Sequence, residues 1–501
     1  MKELKIYYTS DTHGYLYPTD YADDAPKELG LMNTIYNFEK DGNTLIIDGG
    51  DIFQGSPYIN YFQKKGQVDQ GIAETMNAGG YDFITLGNHD FNYGFPRLEE
   101  NLKLLNAQVT AVNVLSKDGK QLFPAQIKVL ENGLRVGIVG FTTDYINIWE
   151  APVHIDRLQI TDTFEAAKKA LVEIKDQVDF TIGLYHGGFE ADIETEEIVS
   201  KTSENIGYKL AKELDFDLLL TGHQHATIPG RDLFGTYIVQ PTNMAKNYFE
   251  IHVAVDEHVT LIESELRTPG TKHSQALYDQ FYPLEKEVQH YLNQPVGHLA
   301  QPIPKPTHLA LATHGNDWIE LIGHVQKLQT EADIAVVSSF NVLKDIKQDV
   351  SIRDLLISYP FENTLYKLEL TGKQLKNVME KSAEYFALKD NEIVINPLWL
   401  SPKTEHYNYD FYLGVSYLMD ISRPVGDRIV DLMFHDLPVK EDDTFTVAVN
   451  NYRAFGGGNY LDYADAKVLE SGATEIQQLL IDYVSSSHEV YIPKELAFGV
   501  I

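Results

Sequence analysis

Five apolar runs in the first half of the chain are near-continuous in Ile, Leu and Val: LKIYYTSDTHG, NTLIIDGGD, DFITLGNHD, FTIGLYHGG and LLLTGHQH. Runs of this kind suit strands covered on both faces, because a strand with one face in water alternates apolar and polar residues. They alternate with helix-like segments such as ELGLMNTIYNFEK, VDQGIAETMNAGG and ENIGYKLAKEL, so residues 1–265 read as an α/β layered domain. Each run also ends in a residue that can hold a metal: Asp11 and His13, Asp51, Asn88, His186, and His223 with His225. One such ending is ordinarily a turn or a helix cap. Five in series describe the rim of one site, since ligands of open parallel sheets bind outside the carboxyl ends of the strands.

Carboxylate, imidazole and amide donors suit divalent Mn, Zn, Fe, Co or Mg, and the imidazoles favour a transition metal. Seven donors exceed one tetrahedral site, so two ions sharing a bridge is the economical count. Such a pair, roughly 3.5–4 Å apart, clamps an attacking water and a phosphoryl oxygen together. The balance of 41 basic against 73 acidic residues gives a net charge of −32. That surface repels nucleic-acid polymers and anionic membranes. A small phosphate-bearing substrate would then need positive charge supplied locally, which bound cations provide. The chain has no cysteine, which excludes disulfides, thiolate metal sites and Cys nucleophiles.

At 501 residues two domains are expected. The pattern changes over 266–313. RTPGTKH breaks it, SQALYDQFYPLEKEVQHYLN reads as a helix, and QPVGHLAQPIPKPTH is a Pro-rich connection. HGNDWIELIGHVQKLQTEAD is another amphipathic helix. A second α/β unit then follows, with strands ADIAVVSS, TLYKLELTG and DTFTVAVNNY and the helix KQLKNVMEKSAEYF. No basic, then apolar, leader precedes the first strand, and no run is long enough to span a membrane, so a cytoplasmic protein is expected. Nothing in the pattern speaks to oligomeric state.

The series D-x-H, G-G-D, G-N-H-D, H-G-G and G-H-x-H resembles the calcineurin-like metallophosphoesterases. The resemblance implies a four-layer α/β/β/α domain. Asp11, His13 and His225 would hold one metal, Asn88, His186 and His223 the other, and Asp51 would bridge them. A metal-activated water would attack phosphorus, with His89 aimed at the phosphate to assist the leaving group and Asn88 reaching the substrate as well. Segments 359–386, 420–432 and 448–460 resemble the C-terminal domain of the 5′-nucleotidase family, an α+β domain that sandwiches a nucleotide base between two aromatic rings. The implied organisation is 1–313, a linking helix 314–332 about which the second domain rotates, and 333–501. Tyr452 is the best stacking candidate, with Tyr407 or Tyr409 as its partner. Gly456, Gly457 and Gly458 admit a ligand close to the backbone.

Three departures narrow the expectation. Gly458 stands where 5′-nucleotidases carry a ribose-binding Asp, and SSFNVLKD replaces a Gly-rich segment ending in Arg. Asn92 stands where an Asp follows the catalytic His, leaving adjacent Asp90 as the carboxylate candidate beside His89. GNHDFNYG, YPFENTLY and NNYRAFGGGNY match better the branch of 2′,3′-cyclic-nucleotide 2′-phosphodiesterase/3′-nucleotidases. The expectation is a two-metal hydrolase of that kind acting in nucleotide catabolism. The alternatives are a 5′-nucleotidase or UDP-sugar hydrolase, or a catalytically weak nucleotide-binding protein.

Overall fold

The continuous runs become the inner strands of two six-stranded sheets. Lys2–Thr9, Thr44–Asp48 and Phe83–Ile84 lie side by side and parallel in the first. Arg135–Thr142, Phe180–His186 and Leu218–Thr221 do so in the second. Antiparallel strands close the outside, Tyr248–Val255 beside Lys2–Thr9 and Gln126–Val129 beside Arg135–Thr142. The computed structural model describes residues 1–501 except 24, 68, 69, 201, 257, 402 and 487 and the side chains of 70 and 473.

The two sheets pack face to face. Ile6, Tyr8, Leu45 and Ile47 of the first share one buried cluster with Ile138, Ile182, Leu184, Leu218 and Leu220 of the second. Neighbouring residues point the other way, as strand geometry requires. Val139, Phe141, Tyr185 and Leu219 meet Phe164, Ala167 and Leu171 of helix Thr163–Ile174 and Leu210 of helix Gly207–Glu213. Asp162 starts the first of these helices by accepting the Glu165 N–H. On the far side Tyr7 stacks on Phe38 with ring centroids 4.7 Å apart, next to the wholly buried helix Leu31–Ile35. The layers are therefore helix, sheet, sheet, helix, and the five runs are divided between the two sheets.

The chain divides into two compact units, Met1–Gln289 and His290–Ile501. Segment 290–313 lies in the second, where strand Pro295–His298 pairs with Asp349–Ser351 and Ile303 bridges Ile346. Its sequence pattern groups that segment with the first domain, because edge pairing of a Pro-rich stretch has no periodic signature. Helix Gln275–Leu292 is the element that runs through the division. Helix Asp317–Thr330, at the position expected for a linker, is capped by Asn316 and packs within the second unit. It buries Ile319, Leu321 and Ile322, and its Trp318 indole donates to the Ser358 carbonyl at 3.0 Å. That unit is built on a mixed sheet ordered Asp410–Leu413, Ile334–Ser338, Thr444–Asn450, Thr364–Thr371, Lys467–Glu475. Helix Gly372–Ala383 enters it through a capping box of Thr371 and Gln374. Among the described residues no helix is long and apolar enough to cross a membrane.

Ile182 is fully buried between the sheets. Ile182→Ala should cost about 2–5 kcal/mol, the usual penalty for truncating a packed aliphatic side chain. Denaturant unfolding checks this: a midpoint unchanged from the parent protein would contradict a close-packed intersheet core.

Candidate metal centre

The loops after the five strands formed by those runs converge. Asp11 N–H donates to Gly50 O at 2.9 Å and His13 N–H to Asp51 O at 2.8 Å, tying the first two loops together. His223 N–H donates to the Asp11 carboxylate at 3.0 Å, joining a loop of the second sheet to one of the first. Five of the seven candidate ligands have left-handed backbone: Asp11 (φ 54°), His13 (48°), Asp51 (57°), His223 (69°) and His225 (54°). This conformation is uncommon for residues with a Cβ, and such strain gathers where side chains must be aimed at a ligand. Glycine makes the crowding possible. A Cβ on Gly87 would lie 2.1 Å from Asp51 Oδ1, and one on Gly222 would lie 2.6 Å from Asp11 Oδ2.

The ring tautomers follow from the partners. His13 Nδ1 faces Gln54 O at 2.8 Å and His186 Nδ1 faces Gly49 O at 2.7 Å. A carbonyl only accepts, so both Nδ1 atoms carry a hydrogen, and in the neutral ring Nε2 presents a lone pair. His186 Nε2 lies 3.2 Å from Asp51 Oδ2 and 3.2 Å from Asn88 Oδ1. Asn88 Oδ1 is in turn 2.9 Å from His223 Nδ1. His13 Nε2 lies 3.0 Å from His225 Nε2 and 3.8 Å from Asp51 Oδ2, and His225 Nε2 is 3.4 Å from Asp11 Oδ1. Asp51 Oδ2 is buried without a hydrogen-bond partner.

Buried acceptors facing one another are costly unless something positive stands between them. Without a bound ion, a proton on His186 supplies part of that positive charge. Burial opposes charge on both groups, yet the Asp51 carboxylate raises His186 to about 10. Asp51 itself is held well below the carboxylate range, against burial, by His186, His89 and His13. His13, dominated by burial, falls to about 4. Ligand atoms of Asp11, His13, Asp51 and His225 lie within 4.8 Å of one another, as do those of Asp51, His186 and His223. Two groups sharing Asp51, with the Asn88 oxygen beside the second, fit a pair of divalent cations in donor type and number.

The remaining candidates separate. His89 lies at the rim, its ring centroid 5.3 Å from that of His13, and its N–H donates to Asp51 Oδ1 at 2.8 Å. Asp90, expected as the carboxylate beside that ring, is turned away from it. Its Oδ2 accepts the N–H groups of Asp51 and Gly87 at 2.9 and 2.8 Å, and its Oδ1 those of Ile52 and Phe53 at 2.8 and 2.9 Å. Burial raises its carboxyl to about 6, although those backbone donors lower it. Asp90 therefore shapes the loop that carries Asp51, and its adjacency to His89 misleads because consecutive side chains diverge. Sequence reading also missed Glu204, whose Oε1 lies 3.1 Å from His223 Nε2, and Trp149, stacked on that ring with centroids 5.5 Å apart. Neither follows a strand, so no local signal marked them.

In the second unit Tyr409 is fully buried, and its hydroxyl donates to Ala312 O at 2.9 Å. It is a core residue, which leaves Tyr407 as the candidate beside Tyr452. Their centroids are 6.5 Å apart with planes at 58°, and Phe361 lies 6.3 Å beyond Tyr407. The organiser of this region is Arg453, whose guanidinium is fully buried. It binds Asp410 through two hydrogen bonds, Nε to Oδ2 at 2.7 Å and Nη2 to Oδ1 at 3.0 Å. It also donates to Tyr407 O, Asn408 Oδ1 and Gly457 O. A Cβ on Gly457 would lie 2.5 Å from the Tyr452 ring, so the glycine loop lets that ring lie against it.

A sequence model of calcineurin-like phosphoesterases matches residues 4–227, and one of the 5′-nucleotidase C-terminal domain matches 295–465. A solved Staphylococcus aureus structure, of a protein assigned as a 5′-nucleotidase, is 32% identical with a TM-score of 0.94, covering 100% of both chains. This chain belongs to the calcineurin-like phosphoesterases that carry a 5′-nucleotidase C-terminal domain. A 2′,3′-cyclic-nucleotide 2′-phosphodiesterase/3′-nucleotidase of Haemophilus influenzae is 24% identical over 97% of this chain and 85% of its own length. A trifunctional nucleotide phosphoesterase of Bacillus subtilis is 26% identical over 96% of this chain. This phosphoesterase spans only 38% of that relative.

Metal binding to the purified protein tests the centre. About two equivalents of Mn are expected per chain. Asp51→Asn should lose most of both, because Asp51 belongs to both donor groups. Retention of two equivalents by that variant, measured by elemental analysis after gel filtration, would contradict a shared ligand.

Proposed function

We propose that the protein hydrolyses phosphoesters of nucleotides with two divalent cations, opening 2′,3′-cyclic nucleotides and removing the 3′-phosphate. The observation that carries the reading is the buried convergence of lone pairs on Asp51. When bound there, the cations neutralise phosphoryl charge and activate water for attack at phosphorus. The chain's own groups do the rest. Asp51, flanked by His13 and His186, would be a ligand common to both ions. His89, whose Nδ1 is already engaged at 2.8 Å by Asn92 Oδ1, has Nε2 left to hold a proton at the leaving oxygen. Strands buried on both faces keep these loops rigid, so little reorganisation is needed during reaction.

Nucleotide specificity is assigned to the second unit. Tyr407 and Tyr452 offer two ring faces, and stacking a base on an aromatic ring is worth about 1–3 kcal/mol. With the rings tilted by 58°, one must turn before both can lie flat on a base. Gly458, at φ +74°, brings no carboxylate to a ribose, which suits a substrate whose 2′ and 3′ oxygens carry the phosphate. The likeness to the Haemophilus enzyme supports this branch. A 5′-nucleotidase is the second reading, favoured by the likeness to the Staphylococcus structure.

Steady-state kinetics with added Mn on 2′,3′-cAMP, 3′-AMP and 5′-AMP should give the highest kcat/KM for the first two. A strong preference for 5′-AMP would transfer the assignment to the second reading, and a chelator should abolish activity on all three. Tyr452→Ala should raise KM for nucleotides about 10-fold, in line with the stacking energy, and leave bis-p-nitrophenyl phosphate hydrolysis nearly unchanged. Equal losses on both substrates would show that Tyr452 is structural.

A further inference from the structure

Asn92 leaves His89 without a carboxylate of its own, yet the ring is not unsupported. Asn92 Nδ2 donates to Glu150 Oε2 at 2.6 Å, while Asn92 Oδ1 faces His89 Nδ1 at 2.8 Å. Glu150 is itself held from two sides. Its Oε1 meets His154 Nδ1 at 2.6 Å and accepts the Ala151 N–H at 2.8 Å. Only 8% of Glu150 is exposed, although it lies 58 residues from Asn92 in the chain. We propose that Glu150 is a positioning residue for the reaction, setting the tautomer and aim of His89 through the Asn92 amide.

The direction of the chain of hydrogen bonds follows from chemistry. A carboxylate only accepts, so Glu150 forces the NH₂ end of the Asn92 amide toward itself. The carbonyl end must then face His89, which can answer only with a hydrogen on Nδ1. Nε2 is thereby made the working atom. Without Glu150 the Asn92 amide is free to flip, and a flipped amide donates to Nδ1 and favours the opposite tautomer. The amide transmits orientation but cannot pass a proton, so Glu150 orients the ring without taking part in proton transfer. A carboxylate two bonds removed thus replaces one in direct contact, as supporting groups behind a functional imidazole commonly do.

The inference rests on the phosphohydrolase reading for its kinetic test, and on the ring itself for its spectroscopic one. Glu150→Gln keeps the shape of the side chain but no longer dictates the Asn92 flip. On bis-p-nitrophenyl phosphate with Mn, kcat should fall about 10–100-fold with KM within about twofold, the size seen when such supporting partners are lost. Metal content should be unchanged. Adding Asn92→Asp to Glu150→Gln places a carboxylate directly on Nδ1 and should restore most of the lost kcat, which a merely structural role for Glu150 would not produce. An unchanged kcat in Glu150→Gln, or no recovery in the double variant, overturns the proposal. Independently of turnover, ¹⁵N–¹H correlation spectra of the Zn-loaded protein should show the His89 Nδ1–H tautomer in the parent and a mixture in Glu150→Gln. A parent protein whose His89 carries its hydrogen on Nε2 with none on Nδ1 overturns the proposal whatever its activity. An inactive parent protein with the Nδ1–H signal intact would overturn the phosphohydrolase reading alone.

Discussion

Electron pairs that can only accept cannot satisfy one another, and the active end of the first unit is built around that constraint. Asp51 Oδ2, Asn88 Oδ1 and the Nε2 atoms of His13 and His186 all face inward, while Asp51 Oδ1 and the Nδ1 atoms of both rings are already committed to the backbone. A proton on His186 answers Asp51 alone, whereas divalent cations can answer the whole set. The strained backbone at Asp11, His13, Asp51, His223 and His225 is the structural counterpart. Two face-to-face sheets with a dry interior over-determine those loops and hold conformations that an isolated turn would abandon.

Buried charge serves different ends in the two units. Asp90 spends its carboxylate on four backbone N–H groups and thereby shapes the turn that presents Asp51. Arg453 and Asp410 form a fully buried, doubly hydrogen-bonded pair in the second unit, and the spare donors of Arg453 fasten the Tyr407 loop to the glycine loop. Removing one member of such a pair typically costs about 3–5 kcal/mol because the other is left charged in a dry interior. Apolar residues could fill the same space, but they could not hold two loops by their carbonyls. The pair thus positions the aromatic faces as well as stabilising the unit.

Much of this was legible in the chain itself. Continuous Ile/Leu/Val runs specify strands buried on both faces, and a polar ending on each places a ligand at its carboxyl end. All seven of those endings, from Asp11 to His225, arrive in one cluster. Legibility failed where the relation between residues is not periodic. Asp90 looked like the companion of His89 by adjacency, and Tyr409 looked equivalent to Tyr407. Only packing distinguishes them, since Tyr409 points into the core and Asp90 into its own turn.

Residue types and spacing alone therefore determined the strand-and-helix order, the candidate ligands and the chemistry that such donors support, because those depend on local periodicity and functional groups. The tertiary structure decided everything that requires one side chain to meet another across the fold. It divided the five strands between two sheets and made Asp51 common to two donor groups. It also gave His89 a carboxylate, Glu150, acting from 61 residues away through Asn92. Hydrogen bonds of that reach leave no trace in spacing, since the chain between their ends can be of any length.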